Sequence, residues 1–191
     1  ILPLLLVAAA GYLLGSISFA IILTRVFAHE DVRSHGSGNA GATNVLRVAG
    51  KKASALTFLC DFLKCALSVA IGYYALHFIC LANGIDPVLA RLGMYAAGFC
   101  CIIGHMYPLY FGFRGGKGVV TAAAMILLLD WRVFLICFAF FALVFAWKKT
   151  VSLASICGCL LYPIVTFFIT FFIDYKIGGL PGFYVAMATA V

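Results

Sequence analysis

The chain has 191 residues, 65% of them apolar and only 10% charged, with a formal net charge of +7 and a mean hydropathy of +1.16. A soluble domain is nearer to about 45–50% apolar and about 25% charged, so this composition excludes an ordinary soluble fold and indicates an integral membrane protein. The apolar runs are long and continuous rather than alternating, which favours an all-α polytopic bundle over a barrel, with residues 1–191 forming one membrane domain.

A spanning helix needs roughly 20 apolar residues. The first apolar segment is expected from about Leu2 to Phe27, with Gly15-Ser16-Ile17-Ser18-Phe19 small and polar enough to pack against another helix. The first residue is Ile1 rather than Met, so an incomplete N-terminus is expected. A glycine-rich polar loop follows, from His29 to Lys52. Segment two, about Ala53 to Leu81, carries Asp61 and Lys64, three apart on one helical face; at that depth they point inward, either as an ion pair that orders the bundle or as part of a site. Segment three runs from about Val88 to Tyr107, and a second polar loop reaches Gly118. Segment four, about Val119 to Leu129, is short, so its helix is expected to begin near Gly116. Segment five covers about Val133 to Trp147. Lys148-Lys149-Thr150 is the third polar spot, with Thr150 placed to cap segment six, Val151 to Ile173, which Pro163 is expected to kink. A seventh segment begins near Phe183 and stops at Val191, too short to span, so the expected bundle has seven transmembrane helices with the last truncated.

The three polar loops follow segments one, three and five and so share one face of the membrane. That face holds nine basic residues, Arg25, Arg33, Arg47, Lys51, Lys52, Arg114, Lys117, Lys148 and Lys149, against three on the other, Arg91, Arg132 and Lys176. This positive-inside asymmetry puts the loops in the cytoplasm and the N-terminus outside. Because the basic residues sit in short loops, topology and anionic ligands explain the charge better than nucleic acid does. The eight cysteines fall mostly inside apolar segments and read as small buried hydrophobes. No Cys-His grouping has zinc spacing and the four histidines are scattered, so neither a metal nor a cofactor is expected.

The densest polar stretch is Gly36-Ser37-Gly38-Asn39-Ala40-Gly41-Ala42-Thr43-Asn44, flanked by Arg33, Arg47, Lys51 and Lys52. Glycines expose backbone amides, and Ser37, Asn39, Thr43 and Asn44 add side-chain donors; with cations nearby, this describes a phosphate site. Gly36 to Gly41 reads G-x-G-x-x-G, but no strand precedes it, so the dinucleotide reading fails. Gly115-Gly116-Lys117-Gly118 resembles a nucleotide P-loop but lacks the first glycine at the required spacing and the Ser or Thr after the lysine. Amides of Gly36, Gly38, Gly41, Gly115, Gly116 and Gly118 could cradle phosphates, with Lys117 and Arg47 supplying charge. Ser152 and Ser155 lie in the first turns of segment six, where a helix N-terminus favours anions.

Three motifs carry a resemblance. Ser37-Gly38-Asn39-Ala40-Gly41-Ala42-Thr43-Asn44-Val45-Leu46-Arg47 resembles the first signature of the membrane acyl-phosphate:glycerol-3-phosphate acyltransferases. Gly104-His105-Met106-Tyr107-Pro108 with Phe113-Arg114-Gly115-Gly116-Lys117-Gly118-Val119 resembles the second, and Val151-Ser152-Leu153-Ala154-Ser155-Ile156 the third. The resemblance implies a bacterial inner-membrane, seven-helix enzyme of phospholipid synthesis. It would move a fatty acyl group from acyl phosphate to the 1-hydroxyl of glycerol 3-phosphate, giving lysophosphatidic acid and phosphate, without acyl-CoA, metal or organic cofactor. The chain departs from the family pattern at Ser18, where proline is usual, and at Cys65, where glycine is often found. The family's His-x-x-Asn motif would lie beyond Val191.

The chemistry suits the residues independently. Acyl phosphate is already activated, so the enzyme has mainly to position two anionic substrates and stabilise an oxyanion. Ser37, Thr43, His105 and Lys117 are the catalytic candidates. No Asp lies five residues after any histidine, which removes the usual acyltransferase His-x4-Asp pair. A substrate phosphate, with a second pKa of about 6, could take the alcohol proton, while His105 is either a direct base or a structural histidine. The rival reading is a transporter or flippase for a phosphorylated metabolite or lipid, which predicts polar residues along the outer halves of the helices; those halves look almost wholly apolar.

Overall fold

The computed structural model describes residues 1–174. Every regular element among them is helical. Helix α1 spans Leu2–Gly15, α2 Phe19–Ala28, α3 Ala42–Ala82, α4 Arg91–Met106, α5 Val119–Leu129, α6 Trp131–Lys148 and α7 Val151–Ile169. Five stretches among the described residues are long and apolar enough to cross a membrane: Leu2–Ala28, Ala42–Ala82, Pro87–Phe111, Trp131–Lys148 and Val151–Ile173. Helix α5, with 11 residues, is apolar but shorter. The expected seventh helix lies outside the described residues.

Three expectations are corrected by local geometry. Segment one is not one continuous helix: the chain breaks between Gly15 and Phe19, and Ser18 takes an extended conformation that starts α2. The spanning part of segment two starts close to the expected Ala53, but α3 as a whole begins eleven residues earlier, at Ala42. Within it Gly50 has φ 81° and ψ −176°, a conformation open in practice only to glycine, and this divides α3 into a short arm and a spanning arm. The arms fold toward each other, since Ser54 Oγ donates to Ala42 O at 2.9 Å. Segment four starts at Val119 rather than near Gly116, because Gly118 adopts a left-handed conformation (φ 74°) that ends the loop. Thr150 does precede α7, but its hydroxyl donates back to Lys148 O and makes no cap bond.

Packing among α1, α3 and α4 is backbone to backbone. Gly72 of α3 faces Gly93 of α4, and Gly11 and Gly15 of α1 face Ala97 and Cys101 of α4; a β-carbon at any of these glycines would collide with the opposing carbonyl. Lipid supplies no hydrophobic drive for helix association, so close contact between small residues takes its place. The outer surfaces remain apolar, with residues such as Leu63, Phe78, Phe138 and Leu160 exposed, as a lipid-facing surface requires.

Candidate active site

Loop one is built around Asn44. Its side chain is buried, accepts from Ser37 N at 3.1 Å, and donates to Val32 O at 2.8 Å and His35 O at 2.9 Å. Gly36 has φ 59°, and any side chain there would collide with Asn44 Oδ1. Asn44 therefore spends its polar groups on shaping the loop. Thr43 and Arg47 are four apart and both exposed on the same short arm, while Asn44 between them is buried. The side chains of Ser37, Asn39, Thr43 and Arg47 make no hydrogen bond to other described residues, so their donors are open to a ligand.

Two contacts fasten loop one to loop two. Arg33 grips Asp31 through Nε and Nη2 (3.0 and 2.9 Å) and donates from Nη1 to Phe111 O at 2.7 Å. The Arg33 guanidinium beside Asp31 holds the carboxyl far below its ordinary range, against the opposing effect of burial, with a further contribution from Arg25. The second contact is Ala40 N to Gly115 O at 3.4 Å. Arg33 was legible from sequence only as a flanking cation; the signal for its role is the near-adjacent Asp31, whose carboxylate matches the guanidinium fork.

Loop two folds back on the end of α4. Gly115 N donates to Met106 O and Gly116 N to His105 O, both at 3.1 Å. These two amides are thus occupied, as are those of Ser37, Gly38 and Gly41 in loop one. The glycines here serve close approach: a side chain at Gly116 would strike His105 Nε2 and lie 2.6 Å from Ala40 O. His105 itself is buried, with Nδ1 turned toward Lys64 and Asp61.

Loop two then meets the third motif. Lys117 Nζ donates to Ser152 Oγ at 2.6 Å. Ser155, one turn on, donates to Val151 O and lies on the same side of α7. Together Lys117, Ser152 and Ser155 form the polar mouth of a cleft of about 430 Å³, whose other lining residues are Val119, Ile156, Cys159 and Leu160. The first turn of α7 has no side-chain cap, so its free amides leave partial positive charge at the end of the helix that carries Ser152. A cation, two hydroxyls and a helix N-terminus at the head of an apolar groove can bind an anion carrying a lipid tail. The structure thus joins loops one and two, and joins loop two to the third motif. No hydrogen bond links Thr43 or Arg47 to Lys117 or Ser152.

Comparison with known proteins decides the family. The family model for glycerol-3-phosphate acyltransferase matches residues 5–191. The chain belongs to the glycerol-3-phosphate acyltransferase family. The glycerol-3-phosphate acyltransferase of Clostridioides difficile (strain 630) is 44% identical over 160 residues, 84% of this chain and 75% of that protein. The enzyme of Pseudomonas putida (strain KT2440) is 45% identical over 158 residues, 79% of this chain and 74% of that one. The crystal structure of PlsY (YgiH), an integral membrane glycerol 3-phosphate acyltransferase, in its glycerol 3-phosphate form, superposes with a TM-score of 0.72 at 32% identity, covering 98% of this acyltransferase and 84% of the other chain. Its lysophosphatidic acid form gives 0.70 at 31% identity with the same coverage. This acyltransferase is a multi-pass membrane protein whose three motif regions are joined in a chain of contacts.

Proposed function

We propose that the enzyme transfers a fatty acyl group from acyl phosphate to the 1-hydroxyl of glycerol 3-phosphate, releasing lysophosphatidic acid and inorganic phosphate. The observation that carries this reading is the Lys117–Ser152 pair at the head of the apolar cleft. That arrangement suits the phosphate of an acyl phosphate at the polar mouth, with its alkyl chain along Ile156, Cys159 and Leu160. Thr43 and Arg47, exposed on the short arm of α3, offer a hydroxyl and a planar fork to the phosphate of glycerol 3-phosphate, and Ser37 and Asn39 add donors from the loop. The acceptor in the relatives' names, and the two ligand forms of the related crystal structure, support that substrate and product.

In this scheme the 1-hydroxyl oxygen attacks the acyl carbonyl carbon, and the carbonyl electrons move onto an oxyanion. Lys117 and Ser152 stabilise the developing negative charge, which in such sites contributes about 10²–10³ in rate per donor. Collapse of the tetrahedral centre breaks the bond from carbon to phosphate oxygen. The hydroxyl proton passes to a phosphate oxygen, so no protein base is required. The catalytic face lies in the cytoplasm of a bacterial inner membrane, with the N-terminus outside, as the basic residues imply.

The test is donor choice by the purified full-length protein in detergent, where no compartment exists for transport. Palmitoyl phosphate should give lysophosphatidic acid and palmitoyl-CoA none. Equal rates with the two donors would refute the acyl-phosphate assignment.

A further inference from the structure

Lys64 lies in the buried heart of the bundle, with its side chain only 4% exposed and that of Asp61 2%. Its Nζ has four neighbours: Asp61 Oδ1 at 2.8 Å, Ile17 O at 2.8 Å, Gly15 O at 3.1 Å and His105 Nδ1 at 3.1 Å. The two carbonyls belong to the break between α1 and α2, where the helical ladder is interrupted. A lysine that spans this gap satisfies groups that lipid could not. It also joins the helix break to the end of α4, from which loop two departs.

The geometry fixes a protonation state that no hydrogen position needs to supply. A lysine ammonium has three donors and no acceptor. Its three hydrogen bonds go to Gly15 O, Ile17 O and His105 Nδ1, and Asp61 Oδ1 at 2.8 Å pairs with it as an ion, so Lys64 is the cation and Asp61 the anion. His105 Nδ1, 3.1 Å from that ammonium, can only accept. Were Nδ1 protonated, its hydrogen would face the ammonium hydrogens, and its remaining partner, Asp61 Oδ1 at 3.5 Å, is longer than an ordinary N–H···O bond.

We infer that Lys64 holds His105 as a neutral imidazole with its proton on Nε2, making His105 a fixed hydrogen-bond donor to the site and not a general base. Nε2 lies against Gly116, where the missing side chain makes room for it, one residue before Lys117. It makes no hydrogen bond to another described residue, so its proton is free to meet a substrate oxygen. Lys64 and Asp61 are positioning residues that act through His105.

The direct measurement is the ¹⁵N spectrum of histidine-labelled protein in micelles. Among the four histidines of this chain, substitution of His29, His35 and His77 by glutamine leaves His105 as the sole signal. Between pH 6 and pH 8 we expect an unprotonated Nδ1 and a protonated Nε2. A proton on Nδ1, or on both nitrogens, overturns the inference. The second measurement compares turnover of His105→Gln and His105→Leu, both checked for folding by their melting in detergent. Glutamine keeps an N–H donor but has no basic nitrogen, so it should stay within about tenfold of wild type, whereas leucine should lose about 100-fold or more. Equal turnover of the two folded variants, whether high or low, overturns the donor role. The turnover comparison rests on the acyltransfer reading; the spectrum does not, so failure of one is distinguishable from failure of the other.

Discussion

Lys117 and Ser152, 35 residues apart in sequence, meet at 2.6 Å across the mouth of the apolar cleft. The contact needs two separate devices. Gly118, left-handed, starts α5 immediately after Lys117, and Lys149, also left-handed, ends α6 so that α7 can begin at Val151. Each device delivers one polar side chain to a common point beside lipid.

Asn44 should prove structural. Replacement by alanine strands Ser37 N, Val32 O and His35 O, and each buried unsatisfied group costs about 1–3 kcal/mol. We expect Asn44→Ala to lose about 2–4 kcal/mol and to melt at least about 5 °C lower in detergent. Asn44→Asp should be no better, since an acceptor would then face two carbonyls. An aspartate variant as stable as wild type would contradict the assignment of the amide donors.

Gly116 and Gly112 separate close approach from backbone conformation. Gly112 has φ 67° with nothing near its absent β-carbon, so Gly112→Ala should cost about 1–2 kcal/mol of stability and little turnover. Gly116→Ala drives a methyl into His105 Nε2 and Ala40 O, and should cost most of the activity. Similar turnover in the two variants, measured at saturating substrate, would refute the packing argument.

The Asp31–Arg33 clamp sets a pH dependence. The folded-state pKa of Asp31 is depressed below its ordinary 3.8, first by the hydrogen bond from Arg33. Its contribution to stability is therefore fully present above about pH 4 and is lost as pH falls through the lower folded value. Asp31→Asn should melt lower than wild type at pH 7, and the gap should narrow only below about pH 4. A gap that closed between pH 7 and pH 5 would show that another group carries the effect.

Much of this could be read in the sequence, because membrane helices and motif loops leave strong signals. The apolar runs located the helices, and the clustering of glycine with Ser37, Asn39 and Lys117 marked the loops. What could not be read depends on partners distant in sequence. The break at Gly15–Ser18 is held by Lys64, 49 residues away from Gly15, and Gly50 turns α3 at a point inside an otherwise helical pattern. Asn44 reads as a ligand donor until Val32 and His35 are seen to take both of its protons. Thr150 has the residue type of a cap but bonds backward instead.

Topology follows from charge and can be tested by labelling. In a cysteine-free background, Ser34→Cys should react with a membrane-impermeant thiol reagent only from the cytoplasmic side and Asn83→Cys only from outside; both positions are exposed. The reverse pattern would overturn the orientation.

The most direct test of the central claim is product formation by wild type and Lys117→Ala with acyl phosphate and glycerol 3-phosphate in detergent. Wild type should release one inorganic phosphate for each lysophosphatidic acid formed. Loss of the Lys117 cation should lower kcat/KM by about 100-fold or more, with melting unchanged. Near wild-type turnover in Lys117→Ala, or lysophosphatidic acid formed without matching phosphate, would contradict the account.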